Sequence, residues 1–328
     1  MSRSMQRSSE SAGQGRPGAV RPSRFRVLMA FAAIYSIWGS TYLAIRFAVE
    51  TLPPFSMTGV RFTIAGGLLY AWARLLRGVS RPSGSHWAAA ALVGVLMLLF
   101  GVGGVSWAEQ RISSGAAALL VGVGPLFMVL VDWLWYAGER PDAKVLAGIV
   151  LGFCGVGLLV GPEDLAGAGR VDPLGAIVIL FGSITWAFGS LYTRGSRLPS
   201  SPALATGMEM LAGGAVLLIV GALVGEWRVL SFSGVASRSL LALVYLIIFG
   251  SVIALSAYLW LLKFVSPSKV ITHAYVNPVV AVVLGWALAG EPLNQRTLAA
   301  TAVIVLGVLV IVSRREAPRA PVPEMEHG

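Results

Sequence analysis

The sequence has little of what catalytic and metal-binding proteins use. Its 328 residues contain one cysteine, Cys154, and three histidines. A single cysteine excludes a disulfide within the chain, and no second histidine or cysteine stands at metal-ligand spacing from His273. Glycines cluster at several places, but no Lys-Ser or Lys-Thr follows them as a phosphate-binding loop requires. We therefore expect neither a metal nor a nucleotide cofactor.

Charge is also scarce, since 12% of the residues are charged and 56% are hydrophobic. A soluble domain of this length cannot hide so much apolar surface, which predicts an all-α integral membrane protein. A helix of about 20 apolar residues crosses the hydrocarbon core of a bilayer. The predicted spans are Val27–Ala48, Phe55–Leu76, Trp87–Ala108, Ser113–Tyr136, Ala143–Gly161, Leu174–Tyr192, Leu204–Val224, Ser239–Leu262, Ser268–Ala289 and Leu298–Ser313.

The basic residues predict how these ten spans are oriented. If the N-terminus is cytoplasmic, most of the 25 Lys and Arg fall on the cytoplasmic side; the exceptions are Arg46, Arg61, Arg111, Arg170, Arg228, Arg238 and Arg296. Short cytoplasmic loops of membrane proteins are enriched in Lys and Arg, so we expect both termini inside. This asymmetry accounts for the net charge of +10, and we expect no nucleic-acid partner.

The two halves of the chain share a pattern. Trp38 is followed eight positions later by Arg46, and Trp186 is followed eight positions later by Arg194. Five helices per half is an odd number, so a second half must enter the membrane from the opposite side, which predicts inverted repeats and alternating access. Alternatively, the duplication only builds a stable bundle. The predicted units are an arm (1–26), repeat 1 (27–161), a linker (162–173), repeat 2 (174–313) and a cytoplasmic tail (314–328).

Uncharged polar side chains gather at membrane depth in both halves. There each polar group is costly unless it has a partner or faces water. Helix packing with bonds to the helix's own backbone is the alternative explanation. The predicted substrate cavity between the halves is lined by Trp38, Ser40, Tyr42, Trp186, Ser190, Tyr275 and Asn277.

Four charged residues are candidates for gating or coupling. Arg61 lies well inside the second span, and Glu109 at the end of the third is its expected partner, although snorkelling of Arg61 to the headgroups is an alternative. Glu209 and Asp132 interrupt apolar runs near cytoplasmic helix ends, where a desolvated carboxylate suits proton exchange. Interfacial anchoring is the alternative for both.

Several motifs together resemble EamA-type carriers of the drug/metabolite transporter superfamily. They are Ile37-Trp38-Gly39-Ser40-Thr41-Tyr42, Pro53-Pro54-Phe55 leading to Arg61-Phe62, and Ala274-Tyr275-Val276-Asn277-Pro278-Val279 leading to Gly290-Glu291. Ser183–Ser190 and Val105–Glu109 look most like the YedA-type exporters within that family. The resemblance spans about residues 27–313 and implies ten helices, a central cavity and gradient-driven efflux of small metabolites, amino-acid-like compounds or drugs.

The favoured hypothesis is a secondary transporter of a bacterial inner membrane. Its expected partners are a small-molecule substrate and the lipid bilayer. A homodimer stays open as an alternative. A membrane-embedded enzyme is less favoured because no paired carboxylates converge and the loops are too short for a catalytic domain. A channel is less favoured because the sequence lacks rings of like charge and a filter-like carbonyl segment.

Overall fold

A computed structural model describes residues 23–136, 138, 140–160, 171–230, 234–265, 270 and 272–312. The described part of the chain is helical and contains no strand. The main helices are α1 (Arg24–Ala48), α2 (Pro54–Ala71), α3 (Gly84–Ala108), α4 (Ser114–Trp135), α5 (Ala143–Leu159), α6 (Pro173–Gly195), α7 (Pro202–Leu223), α8 (Ser237–Tyr258, continuing to Phe264), α9 (His273–Ala289) and α10 (Gln295–Val312).

The all-helical membrane architecture is confirmed. Six of these helices, α1, α3, α4, α6, α7 and α8, are long and apolar enough to cross a membrane, and α5, α9 and α10 are shorter apolar helices. Each predicted span overlaps one main helix. Most of the predicted arm (1–26), nearly all of the linker (162–173) and the whole of the tail (314–328) lie outside the described residues.

Local sequence signals set where helices begin. Ser113, Asp142 and Asp172 each accept a hydrogen bond from a backbone N–H of the first turn that follows. Such caps satisfy donors that have no partner within the helix. Pro54 and Pro173 occupy first-turn positions, where the missing N–H costs nothing. The boundaries therefore follow from short-range chemistry.

Two helix pairs form close contacts through glycine. α2 packs along α7, and α5 packs along α10. A Cβ added to Gly66 would lie 2.8 Å from the Gly207 carbonyl oxygen, and one added to Gly307 would lie 2.8 Å from the Gly148 carbonyl oxygen. Small residues such as glycine allow two helix backbones to approach this closely.

The remaining helices pack in a reciprocal manner. α1 lies against α8 and α9, whereas α6 lies against α3 and α4. An ion pair between Glu50 and Arg238 joins the end of α1 to the start of α8. A second ion pair, between Arg111 and Asp172, joins the end of α3 to the start of α6. We call this end of the bundle the Arg46 end and the opposite one the Arg194 end. α1 therefore ends where α6 begins, and the two helices run in opposite directions.

Irregular turns interrupt three of the helices. α4 breaks at Val123, just before Pro125. α3 and α8 contain π-helical segments at Gly94–Gly103 and Leu246–Ile253. A π-helical turn displaces backbone carbonyls from their regular partners and often occurs at functional sites. The segment in α8 positions the groups described next.

Candidate functional site

Trp38 connects α1 to the π-helical segment of α8. Its indole Nε1–H donates to the Gly250 carbonyl oxygen at 3.1 Å. The ring lies 5.3 Å from the Tyr258 ring and 5.0 Å from the His273 ring, centroid to centroid. Three rings from α1, α8 and α9 therefore form an aromatic cluster in the bundle interior, of the kind that accommodates apolar or cationic groups.

Arg61 reaches the neighbouring residue of the same segment from α2. Its Nε–H donates to the Ser251 hydroxyl at 2.9 Å, and only 6% of the residue is exposed. The guanidinium forms no ion pair with any carboxylate of the described residues. A buried cation without a counter-ion is costly in a membrane protein, which marks Arg61 as a functional candidate. Its burial inside the bundle disagrees with the snorkelling alternative.

Two of the predicted cavity residues on α9 lie beside α1. The Asn277 carboxamide lies 3.2 Å from the His273 carbonyl oxygen and 3.3 Å from the Tyr35 carbonyl oxygen, and its nitrogen donates to both when turned towards them. The Tyr35 hydroxyl bonds to the Thr272 hydroxyl at 2.5 Å. Tyr275 is half-buried on the same helix. These polar groups extend the aromatic cluster towards the Arg194 end.

Ser40 and Tyr42 lie on α1 closer to the Arg46 end. The Ser40 hydroxyl bonds to the Tyr245 hydroxyl of α8 at 2.7 Å and to the Ile37 carbonyl oxygen of its own helix. Tyr42 is half-buried and packs against the main hydrophobic core. Ser40 therefore joins the two halves, while Tyr42 lies between the aromatic cluster and the charged groups of the Arg46 end.

Trp186 and Ser190 lie on a separate wall formed by α6. The Trp186 ring packs on Gly101 of α3, where an added Cβ would be 2.9 Å from the ring, and 40% of the tryptophan is exposed. Ser190 is half-buried one turn further along. The contacts of α6 are with α3 and α4, so the structure does not bring Trp186 against Trp38.

A second group of charges occupies the Arg46 end. Glu109, directly after α3, is fully buried, and neither carboxylate oxygen accepts a hydrogen bond from a described residue. Arg46 donates instead to the Glu109 backbone carbonyl oxygen. Burial raises the pKa of the Glu109 carboxyl well above its usual range, nearby Glu291 raises it further, and Arg46 acts in the opposite direction.

The predicted pairing of Arg61 with Glu109 is not formed and needs correction. Arg61 binds Ser251 in the bundle interior, whereas Glu109 lies beside Arg46 at one end. Helix α2 begins at Pro54, so Arg61 lies about 10 Å along it at 1.5 Å per residue. The difference in depth separates the two groups, which the sequence positions alone did not resolve.

The two remaining carboxylates differ in their surroundings. Asp132 forms an ion pair with Arg194 at 3.2 Å, and both side chains are partly exposed. This arrangement agrees with the alternative of anchoring at the membrane surface. Glu209 is half-buried within α7, and its carboxylate makes no hydrogen bond or ion pair with the described residues.

Sequence reasoning missed the partners that α8 contributes. Tyr245, Ser251 and Tyr258 are polar side chains in an otherwise apolar span, the same signal that singled out α1, and they could have been found. Glu226 was also missed; its carboxylate accepts hydrogen bonds from the backbone N–H groups of Phe55 and Ser56 and so caps α2. No sequence signal places that residue opposite a helix 170 positions away.

Comparisons with known proteins agree with this architecture. The EamA-like transporter family matches twice, over residues 25–161 and 173–313. The inner membrane transporter YedA of Escherichia coli (strain K12) is 44% identical over 88% of this chain and 92% of its own length, and the transporter YvbV of Bacillus subtilis (strain 168) is 26% identical over 91% and 94%.

One protein of known crystal structure is similar throughout. It is 25% identical, superposes with a TM-score of 0.59, and the match covers 88% of this chain and 97% of that chain. The two family matches and the relative that is 44% identical likewise cover most of the chain. The chain is a multi-pass membrane protein that belongs to the EamA-like transporter family.

Proposed function

We propose that this protein is a secondary transporter that exports small metabolites from the cytoplasm by alternating access. The support comes from the reciprocal packing of α1 against α8 and α9 and of α6 against α3 and α4. Two halves whose helices run in opposite directions and pack against each other can exchange conformations around a site between them. The membrane-transporter class itself follows from the family.

The substrate site lies where α1, α2, α8 and α9 meet. The observation that carries this assignment is the buried Arg61 guanidinium, which has Ser251 as a hydrogen-bond partner and forms no ion pair with a described carboxylate. A substrate carboxylate supplies the missing counter-ion through charge-assisted hydrogen bonds. The rings of Trp38, Tyr258 and His273 suit an apolar or cationic portion of the same molecule. The substrate class is therefore an amino-acid-like zwitterion.

The Arg46 end faces the outside and both termini lie in the cytoplasm. This orientation rests on the positive-inside rule, because Arg74, Arg77, Arg140, Lys144 and Arg197 lie at or beyond helix termini at the Arg194 end. This orientation is the one expected for a protein of a bacterial inner membrane. Reporter fusions after Arg81, Arg197 and Arg315 test it, because all three should report a cytoplasmic location.

Glu209 exchanges a proton with the cytoplasm during the cycle. Its half-buried carboxylate makes no hydrogen bond or ion pair with described residues, so it is free to take up and release a proton as α7 moves. Asp132 is the weaker candidate because Arg194 already pairs with it. Substrate binding at the central site and proton exchange at Glu209 together allow a proton gradient to drive export.

Counterflow in proteoliposomes tests the function. Purified protein is reconstituted, loaded with one unlabelled amino acid from a set of zwitterions, and uptake of the same labelled compound is measured. The set also includes matched amines without the carboxylate and matched acids without the amine. We expect uptake of a zwitterion by the wild-type protein and its loss in Arg61→Gln. Uptake of the amines alone, or the same rate in Arg61→Gln, contradicts the assigned site.

A further inference from the structure

The Arg46 end contains a carboxylate in an unusual setting. Glu109 is 0% exposed, and neither of its carboxylate oxygens accepts a hydrogen bond from a described residue. An ionised carboxylate in such a place loses its hydration without replacement, so the neutral acid is the stable form. Any movement that lets water reach Glu109 removes that preference.

Three groups face Glu109 from the elements packed around it. From α1 come Arg46, which binds the Glu109 backbone carbonyl oxygen, and Tyr42, which interacts with the carboxylate electrostatically. From the connection between α9 and α10 comes Glu291, which accepts hydrogen bonds from the backbone N–H groups at the start of α4. Glu291 and Arg46 therefore act on the charge of Glu109 in opposite directions, and burial is the largest influence on it.

A water-accessible space lies next to this carboxylate. A cavity of about 410 Å³ at the Arg46 end is lined by Arg46, Gln110, Ile112, Ser113 and Glu291, among others. Gln110 directly follows Glu109 in the chain, and Glu291 contributes its negative charge to the cavity wall. Glu109 itself is not among the lining residues, so the surrounding helices must move before water in this cavity reaches the carboxylate.

We propose that Glu109 is a proton-binding site accessible from the outside, and that proton uptake accompanies closure of the Arg46 end. The proposal rests on the proposed transport function for its place in the cycle. In the open form the carboxylate is hydrated and ionised. In the closed form it is neutral, and α1, α4 and α9 pack against one another.

The direction of the pH effect follows from linkage. The closed form holds the proton more tightly than the open form, so closure is favoured as the external pH falls. As the pH rises through the pKa of the closed form, that advantage is lost and the open form gains. During export, substrate leaves through the open Arg46 end, a proton from the more acidic outside then binds Glu109, and the end closes.

Distance measurements between spin labels test this without any substrate. Thr51, just after α1, and Ala289, at the end of α9, are both exposed and are converted to cysteine in a Cys154→Ser background, in proteoliposomes. Between about pH 5.5 and about pH 8.5 we expect the population with the longer distance to rise roughly twofold or more. In Glu109→Gln, which is always neutral, the short distance should persist at every pH.

Glu50→Gln is the matched control, because Glu50 lies at the same end in an exposed ion pair with Arg238, 3.8 Å apart; it should respond like the unmodified protein. Glu109→Asp stays titratable and should respond with a shifted midpoint, which keeps the test decisive if Glu109→Gln folds poorly. A pH response in Glu109→Gln equal to the wild-type one, or no response in the wild-type protein, overturns the proposal. Failure of counterflow with an intact pH response would overturn the proposed function alone.

Discussion

The polar segment of α1 around Trp38 and the corresponding segment of α6 around Trp186 differ in where their hydrogen bonds go. In α1, Trp38 and Ser40 bind Gly250 and Tyr245 of the other half of the chain, in addition to the bond from Ser40 to Ile37 of its own helix. In α6, the hydroxyls of Ser183 and Thr185 donate to carbonyl oxygens of their own helix. The Trp186 ring packs on Gly101 and stays 40% exposed.

Both tryptophans nevertheless rest on a π-helical segment of the opposite half, Trp38 on that of α8 and Trp186 on that of α3. The two tryptophans thus contact corresponding π-helical segments in different ways: Trp38 donates a hydrogen bond to Gly250, whereas Trp186 only packs on Gly101. We interpret this as one of two access states: polar groups of the α1 segment bond to the other half of the chain, whereas the hydroxyls of the α6 segment bond within their own helix.

The largest effect is expected at Arg61. Replacing it with Gln removes the buried charge that binds the substrate carboxylate, which we expect to cost about 2–3 kcal/mol, or about 30- to 150-fold in transport. Initial rates of counterflow measure this. Arg228→Gln, which removes an exposed arginine, is the control and should leave the rate unchanged. Equal rates for Arg61→Gln and Arg228→Gln would rule out a substrate role for Arg61.

The two tryptophans should differ in their contribution. Trp38→Ala removes a hydrogen bond to α8 and contacts with two rings, so we expect a loss of about 2 kcal/mol, or about 30-fold in transport. Trp186→Ala removes a half-exposed ring and should lower transport only a few-fold. The same counterflow assay compares them at matched expression. A larger loss of transport for Trp186→Ala than for Trp38→Ala would place the substrate against α6 instead of α1.

Glu209 and Asp132 should separate coupling from anchoring. In Glu209→Gln, accumulation driven by a pH gradient should disappear while exchange of labelled for unlabelled substrate continues, since only proton exchange is removed. Asp132→Asn breaks a partly exposed ion pair with Arg194 and should keep full gradient dependence. Accumulation is measured with and without an imposed gradient. Retained gradient dependence in Glu209→Gln would exclude that carboxylate from coupling.

The smallest effect concerns the serines of the two segments. Ser40→Ala removes the bond to Tyr245 that joins the halves, and we expect the protein to lose about 0.5–1 kcal/mol of stability. Ser190→Ala should change stability less, because the Thr193 hydroxyl donates to the Ser190 backbone oxygen, which the substitution keeps. Thermal unfolding in the same detergent compares them. Identical losses would show that cross-half bonding does not distinguish the segments.

The sequence was sufficient for the helical architecture because apolar length and capping residues act locally. Asp142 and Asp172 cap helices by accepting hydrogen bonds from backbone N–H groups two or three residues later, and an aspartate before an apolar run is a local signal of such a cap. The position of each polar segment on α1 and α9 was also readable, since polar side chains at membrane depth are rare.

The partners of Arg61 and Glu109 could not be predicted in the same way. Their pairing was inferred from similar depth, but depth along separate helices depends on tilt and on the π-helical segments, which no local pattern encodes. The structure instead assigns Arg61 to Ser251, 190 residues away, and places Glu109 beside Arg46. Long-range contacts of this kind are set by the packing of the whole bundle.

Alternating access requires the segments around Ser40 and Ser190 to change their accessibility reciprocally. Ser40→Cys and Ser190→Cys are made separately in a Cys154→Ser background and labelled with a membrane-impermeant maleimide, with and without a saturating concentration of the zwitterion that counterflow transports fastest. We predict that substrate changes the two labelling rates in opposite directions, because one segment becomes engaged as the other is released. Rates that change in the same direction, or that do not respond, would contradict alternating access between these two halves.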